Sequence, residues 1–581
     1  MDNRDIARRL RETADLMEVA GEDSFRIRSY RKAADAIDSA TVPLASLCND
    51  PKRLLELPGI GKTMCAHIVE LVGSGQLGLH QELLARFRPG MLDLLQVSGL
   101  GPKTVALIWQ TYNAGTLDEV EALAKAGKLR ELPRMGAKAE EKILRGIAVH
   151  RELSGRFRRD HIAAVIELMQ PILAAATGVT QLAFAGSYRR GKDTVGDLDI
   201  IASGPGFPQQ GAGVVAAFLA APRVDTVLAQ GENKVSLRLQ GDGLQVDLRL
   251  PPPESFGAAL QYFTGSKQHN IHLRSRAQQL GLKLNEYGVL RDSDGVMIAG
   301  ATEEDVYAAL GLDFIPAELR EDTGEIEAAE SHSLPALITQ ADIRGDVHMH
   351  TTASDGRASI LEMAAAAAGR GYEYICITDH SQALAMASGL DERRMLEHLA
   401  AIRRAEQEFQ ASHAGFRILA GIEVDILADG RLDMADEVLA QLDLVIGSIH
   451  SRFDQSSEDT TARLLRAVAN PNLDLLGHPN GRLLLRREPY QYDFERILDA
   501  CLASGVAMEI NASPERLDLN DVQARRCRER GIPIVINTDA HHPRHLDNMG
   551  YGIVTARRAW LETRDVLNTL PANQFLARLR Q

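Results

Sequence analysis

Asp197 and Asp199 stand two residues apart in FAGSYRRGKDTVGDLDI (184–200), a stretch that reads as strand, turn, short helix and strand. Side chains alternate across a strand, so the i, i+2 spacing sends both carboxylates to one face. Two carboxylates so close repel each other unless a cation lies between them, which points to divalent metal, Mg²⁺ or Mn²⁺. The Gly186-Ser187 turn just before them opens a helix, and free backbone N–H groups at a helix start suit phosphate oxygens. Arg189 and Arg190 follow in the same turn. The chemistry suggested is phosphoryl transfer at paired metals, which calls for a third carboxylate. VSLRLQGDGLQVDLRL (235–250) supplies it: two alternating runs about Gly241-Asp242-Gly243 form a hairpin signal. On its second run Leu244, Val246, Leu248 and Leu250 share one face, with Asp247 opposite beside Gln245 and Arg249. A solvated strand end is the alternative for Asp247 taken alone.

A second set of residues lies downstream. From Ile343 onward short apolar runs alternate with helical stretches, and most runs end in a residue able to hold metal: His348 and His350 in DVHMH with Asp355 after them, His380 in TDH, Glu423 in GIEVDI, His450 in GSIH, His478 in GHP, Asp539 and His541 in TDAH. Helices are expected at 359–369, 391–409 and 494–505. Ligands at the carboxyl ends of alternating strands are how a (β/α) barrel assembles a site. Any one of these histidines is ordinarily a polar strand end; nine such groups in one domain are not. Six imidazoles with carboxylates suit Mn²⁺, Zn²⁺ or Fe²⁺, and shared carboxylates imply more than one ion. Such clusters favour phosphoester hydrolysis by acidifying bound water.

The N-terminal third must place these sites on a substrate. Apolar residues Ile6, Leu10, Leu16 and Met17 recur at helical spacing, followed by SFRIRSYRKAADAI with Arg26, Tyr30 and Lys32 interleaved, either a solvated face or a phosphate pocket. LPGIGKTMCAHI (Gly59, Gly61, Lys62), VSGLGPKTVALI (Gly99, Gly101, Lys103) and LPRMGAKAEEKI repeat one pattern, with Gly61, Gly101 and Gly136 spaced by 40 and 35 residues. Each looks like a helix-hairpin-helix, whose Gly-x-Gly turn lets helix-start N–H groups meet a DNA phosphate without reading sequence. Structural connectors are the alternative, more so for the third copy, where Arg134 replaces the first glycine.

The motifs GSYRRGK, GDLDI, VDLR, YFTGS and NEY together resemble family X DNA polymerases. That resemblance implies that Asp197 and Asp199 bind both metals and that Asp247 helps hold the catalytic one and deprotonate the primer 3′-hydroxyl. It implies further that Gly186, Ser187 and Arg190 hold the triphosphate, that Tyr262, Phe263 and Gly265 pack on the incoming sugar, and that Asn270 and Arg274 read the minor-groove side of the new pair. Gln245 and Lys267 depart from the pattern of the mammalian repair enzyme. His67 stands where lyase-active members carry a Schiff-base lysine, and an imidazole cannot form that imine. Binding of a 5′-phosphate through Arg26, Tyr30, Lys32 and the hairpin backbone is still expected. The HxH, TDH, GxE, GSIH, GHP and TDAH signatures resemble the polymerase and histidinol phosphatase (PHP) domain, which implies a trinuclear site with Asp379 orienting His380.

The chain has 581 residues, enough for several domains. Residues 1–310 hold 37 basic and 37 acidic side chains, so the entire net charge of −14 belongs to residues 311–581. A neutral half can present local basic faces to phosphate. Five scattered cysteines without CxxC spacing fit reduced thiols, and no apolar run approaches membrane-spanning length. The expectation is a cytoplasmic monomer, soluble and away from membranes, of mixed α+β and α/β class. Its expected domains are a helical DNA-end-binding domain with the first hairpin at 1–85 and fingers with further hairpins at 86–150. A nucleotidyltransferase palm would follow at 151–250, a thumb at 251–312, an acidic Pro-punctuated linker at 313–342 and a distorted (β/α) PHP barrel at 343–581. The expected function is gap-filling DNA repair synthesis on gapped or primer-template DNA with dNTPs, joined to 3′–5′ exonuclease action and 3′-end or abasic-site processing in the barrel. Alternatives are a barrel that is a small-phosphoester phosphatase, or a non-catalytic scaffold that binds DNA ends.

Overall fold

The structure is a computed structural model describing residues 3–38, 44–48, 51–55, 60–88, 90–97, 99–133, 135–153, 155–384 and 387–579. The chain forms two compact units, residues 1–154 with 485–487, and residues 155–484 with 488–581.

The first unit is helical. Ile6, Leu10, Leu16 and Met17, on helix Asn3–Val19, are fully buried, as their spacing predicts, against Ile37 of helix Ser24–Asp38 and Ile68 of helix Lys62–Ser74. Gly61 and Gly101 are the N-caps of helices Lys62–Ser74 and Pro102–Tyr112, and Gly99 has a φ of +94°, a conformation that favours glycine.

The second unit opens with a five-stranded sheet in which Asp197–Ser203 lies between Gln181–Phe184, antiparallel to it, and Gln245–Arg249, parallel to it; Lys234–Leu239 and Val224–Gln230 complete the sheet. Alternation divides the central strand. Leu198, Ile200 and Ala202 enter the core under helices Arg159–Ala174 and Ala212–Leu219, while Ile201 on the opposite face packs with Ala259 of helix Phe256–Thr264. Asp197 and Asp199 share that second face, at the strand's beginning.

Helices Phe256–Thr264 and Lys267–Gln279, a three-stranded antiparallel sheet and helix Glu303–Ala309 follow. The segment expected to be a linker at 313–342 does not behave as one: Ile315, Leu319, Ile326 and Ala329 are buried in the same cluster as Leu273, Val289 and Tyr307, and Trp560 joins them. It contributes a cation to a buried ion network. Arg320, fully buried, places Nη1 2.5 Å from Glu303 Oε1, and Glu303 also binds Arg189 at 2.6 Å. Removing one member of a buried ion network leaves the others uncompensated. Glu303→Ala is therefore expected to destabilise this unit by about 3–5 kcal/mol, read as an earlier unfolding transition in urea for the full chain.

The last domain is a seven-stranded parallel sheet whose strands neighbour one another in sequence order, and a parallel bridge between Met349 and Ala540 brings the two edges together as a nearly closed barrel. Helices Ile360–Ala368, Glu392–Gln410 and Phe494–Ser504 agree with expectation to within about a residue. Ser359, Asp391 and Asp493 accept N-cap hydrogen bonds at their starts, and Gly505 ends the last in the left-handed conformation. Among the described residues no helix is long and apolar enough to cross a membrane.

Candidate active sites

One cleft of ≈ 380 Å³ gathers Gly186, Ser187, Arg190, Asp197, Asp199, Tyr262, Phe263, Gly265, Asn270 and Arg274, along with Thr264 and Lys267. Asp247 lies just behind the lining, on the strand beside Asp199 and in register with it. Burial pushes Asp199 up to about 6, with Asp197 and Asp247 adding to the rise and Arg249 opposing it. Burial also raises Asp247, but hydrogen bonds from Lys234, Ser236 and Gln245 outweigh it and hold this carboxyl below its ordinary value. Lys234 Nζ is 2.6 Å from Asp247 Oδ2, and Gln245 Nε2 donates to Oδ1 at 3.1 Å. Arg249 lies 3.8 Å from Asp199 Oδ1 with its guanidinium 3.7 Å from the centre of the Phe263 ring. A crowded carboxylate group needing positive charge fits divalent cations.

Lys234 and Arg249 had no assigned role in the motif reading, although the hairpin contained the signal. Pairing about Gly241-Asp242-Gly243 sets Ser236 opposite Asp247 and Lys234 opposite Arg249, so Lys234 reaches the aspartate along the diagonal. Asn270 is engaged within the fold, donating to Tyr262 O at 2.7 Å and accepting from Gln261 at 2.8 Å, and Arg274 Nε donates to Asn270 O at 3.2 Å.

Gly186 has a φ of +65°, and a Cβ there would lie 2.7 Å from Asp199 Oδ2. Any side chain would strain the turn and displace the carboxylate. Gly186→Ala is expected to lower nucleotide addition about 10²-fold while far-ultraviolet circular dichroism stays unchanged, a combination that separates misplacement from unfolding.

In the helical unit, Gly61, Lys62, Gly99, Gly101 and Lys103 are exposed, and the helices that start after Gly61 and Gly101 have no side-chain cap on their first-turn N–H groups among the described residues. Gly59 lies outside the described residues. Tyr30 requires a correction: it is a core residue, 3% exposed, and its hydroxyl is 2.7 Å from His67 Nδ1 rather than open to a phosphate. Arg26 pairs with Glu22 at 2.8 Å, and Lys32 is exposed.

At the carboxyl ends of the barrel strands all nine expected ligands converge. Asp355, His380, Glu423, His450, His478, Asp539 and His541 line a pocket of ≈ 180 Å³, with His348 and His350 buried within reach of them. Ligand atoms lie within 4.8 Å of one another in three groups: His350, Asp355, His380 and His541; His348, His350 and Asp539; His380, Glu423 and His450. Glu423 is central, 2.9 Å from His380 Nδ1 and His478 Nε2, and 3.4 Å from His348 Nε2 and His450 Nε2.

Whether this set fits metal is answered by its stranded atoms. Among the described residues, His348 Nε2, His350 Nδ1, His380 Nδ1, His450 Nδ1, His478 Nδ1 and Glu423 Oε2 are buried and make no well-aligned hydrogen bond, even where two of them, His380 Nδ1 and Glu423 Oε2, lie 2.9 Å apart. A buried polar atom left unsatisfied costs about 1–3 kcal/mol, so several in one pocket fit cations. Burial, with His541 and His380 nearby, lowers His350 to about 4; burial, with Arg516 nearby, does the same to His478. Burial thus favours the neutral form of these two rings, the form that offers a lone pair to a cation. Burial opposes charge on His450 and His541 too, but Glu423 beside the first and Asp355 beside the second raise each to about 9.

Asp379 does not orient His380. It accepts from His398 Nε2 at 2.8 Å and from Thr351 N at 2.8 Å, fixing the loop after His350. Burial alone would raise its pKa; the hydrogen bonds from His398 and Ser354 hold it well below the carboxylate range. Glu509 was missed. It accepts from His348 Nδ1 at 2.7 Å and from the His478 backbone N–H at 2.7 Å, and so orients one expected ligand and the strand end of another. Its signal was a lone acid in the apolar run VAMEIN, which a barrel strand buries. Arg516, also missed, lines the pocket 3.5 Å from Asp539.

Comparison with known proteins agrees with this layout. Residues 1–77 match the helix-hairpin-helix domain, 91–148 the SAM-like helix-hairpin-helix tandem, 156–231 the DNA polymerase beta palm, 259–321 the DNA polymerase beta thumb and 346–513 the PHP domain. The thumb match extends into the segment expected to be a linker. The chain is 37% identical to the DNA polymerase/3′-5′ exonuclease PolX of Bacillus subtilis over 98% of its own length and 97% of that protein. It is 30% identical to DNA polymerase lambda of Rattus norvegicus over 54% of this chain and 56% of the relative. A probable phosphatase of Caldanaerobacter subterraneus is 31% identical over 34% of this chain and 75% of its own. With a cleft and a barrel pocket assembled from the residues that the motifs named, and full-length similarity to PolX, the chain belongs to the family X DNA polymerases that carry a C-terminal PHP domain.

Proposed function

We propose that the chain is a DNA repair polymerase that fills gaps with dNTPs and removes nucleotides from 3′ ends at its barrel. The observation that carries this reading is the gathering of Gly186, Ser187, Arg190, Asp197 and Asp199 at one cleft, with Asp247 in register beside Asp199. Asp197 and Asp199 would hold Mg²⁺ or Mn²⁺. Divalent ions bound there would neutralise the triphosphate and the attacking and leaving oxygens. Asp247, paired with Lys234, would help hold the catalytic ion and accept the primer 3′-hydroxyl proton. Gly186, Ser187 and Arg190 would seat the triphosphate, Tyr262, Phe263 and Gly265 the sugar, and Asn270 with Arg274 the minor-groove side. The backbone after Gly61 and Gly101, with Lys62 and Lys103, would grip phosphates of gapped or primer-template DNA.

In the barrel, His348, His350, Asp355, His380, Glu423, His450, His478, Asp539 and His541 would hold Mn²⁺, Zn²⁺ or Fe²⁺, three ions in all. Glu509 would fix His348 as a ligand, and Arg516 would face the phosphodiester. We assign 1–85 to DNA-end binding, 86–150 to fingers, 151–250 to palm, 251–342 to thumb and 343–581 to the barrel domain. The protein would work as a cytoplasmic monomer; its five cysteines, none in a disulfide, suit a reducing compartment.

Purified protein on primer-gap DNA with dNTPs and Mn²⁺ should lengthen the primer, and without dNTPs should shorten it from the 3′ end. Similarity of the barrel to probable phosphatases favours a second reading, a phosphatase for small phosphoesters. Release of phosphate from a small phosphomonoester with no shortening of DNA would select it.

A further inference from the structure

Helix Met549–Arg558 of the barrel domain packs on the Gly-Ser loop of the palm, inside the same compact unit. Gly191 meets it so closely that a Cβ there would lie 2.2 Å from Val554 Cγ1. Arg159 is enclosed between the rings of Tyr188, from the loop, and Tyr551, from the helix, at 5.7 and 5.5 Å. At the helix end, Arg558 has 3% of its side chain exposed and ties three elements together. Its Nη1 donates to Arg190 O at 2.6 Å and to Glu321 Oε1 at 3.0 Å, while its Nη2 pairs with Asp521 Oδ2 at 2.6 Å.

Glu321 is the hinge of this arrangement. The oxygen that takes Arg558 also accepts from Arg190 Nε at 3.1 Å and lies 3.8 Å from Lys192 Nζ. Arg190 Nη1 donates to Thr264 O. Two edges of a guanidinium that lines the nucleotide cleft are thus anchored, and Nη2 has no partner among the described residues. Arg190 is held at its carbonyl by Arg558 and at its side chain by the carboxylate that Arg558 also holds. An arginine loses considerable rotamer freedom when it binds phosphate, and anchoring it beforehand removes that loss from the binding step.

We propose that Glu321 is a positioning residue for nucleotide binding, held in place by Arg558, so that the barrel domain supports the triphosphate seat of the polymerase. This rests on the polymerase function proposed above and adds to it a second role for the barrel domain, independent of its own chemistry.

The test is single-nucleotide gap filling by the full-length protein, with KM for the dNTP and kcat measured separately, and barrel nuclease on the same DNA as the control for folding. In E321A, Arg558 keeps Asp521 and Arg190 O as partners. KM should rise about 10-fold, equivalent to about 1.4 kcal/mol, with kcat within about 3-fold and nuclease unchanged. R558K, which keeps the charge but cannot span all three partners, should raise KM by a smaller factor. If E321A also loses nuclease activity, the KM of R558K decides. Unchanged or lowered dNTP KM, or a loss confined to kcat, overturns the proposal while wild-type extension leaves the polymerase reading intact. A wild type that shortens DNA but never extends it overturns both.

Discussion

Asp197→Ala/Asp199→Ala is expected to abolish primer extension, by on the order of 10³-fold or more, and to leave shortening of DNA at its wild-type rate. The two carboxylates lie at one end of a single strand and share the cleft with the loop expected to hold the triphosphate. Alanine at both positions leaves Asp247 as the remaining carboxylate of the three, already neutralised by Lys234 at 2.6 Å. Nothing would then hold cations against the triphosphate. The same change should not unfold the palm. Asp199 is pushed up to about 6 by burial and by Asp197 and Asp247, so in the metal-free protein these groups oppose one another. Removing the repulsion predicts a thermal midpoint without divalent metal equal to or above wild type. Extension that survives in the double variant, or a palm that unfolds, would contradict the assignment.

His348→Ala/His350→Ala is expected to do the converse: eliminate shortening, on the order of 10³-fold or more, with extension preserved. Both rings are fully buried, and both lie in one of the groups whose ligand atoms come within 4.8 Å of one another. Their loss should reduce the metal retained by the protein after dialysis, as measured by elemental analysis. The remaining acids keep partners: Glu509 still accepts from the His478 backbone N–H and from Asn537 at 2.7 and 2.9 Å, and Asp539 from Asn511 at 3.1 Å. The barrel should therefore stay folded, and an intact circular dichroism spectrum with reduced metal content would distinguish loss of the site from loss of the domain. If both double variants removed the same activity, the two centres would not be separate.

Three expectations differ from the structure, the linker, Tyr30 and Asp379, each because a partner outside the local segment decides where the side chain goes. Residues 313–342 read as a linker because acidic residues and prolines give no apolar period, yet Arg320, Glu325 and Ile326 are buried there. Glu325 is satisfied by His269 at 2.6 Å, 56 residues away. Tyr30 read as a surface phosphate ligand because arginines flank it; its burial is decided by where helix Lys62–Ser74 sets His67.

What the amino-acid order determined by itself is whatever has a short period or a local turn: Asp197 beside Asp199 on one strand face, Asp247 on a hairpin, capped helices in the barrel, and ligands at strand ends. Those follow from backbone geometry within a few residues. Tertiary structure alone decided which charges meet: Asp379 with His398 instead of His380, and Arg558 with Glu321 and the Arg190 carbonyl, 237 and 368 residues apart in sequence. An ion pair across such a separation carries no periodic signal, because its partners are chosen by the packing of whole domains and not by the residues beside them.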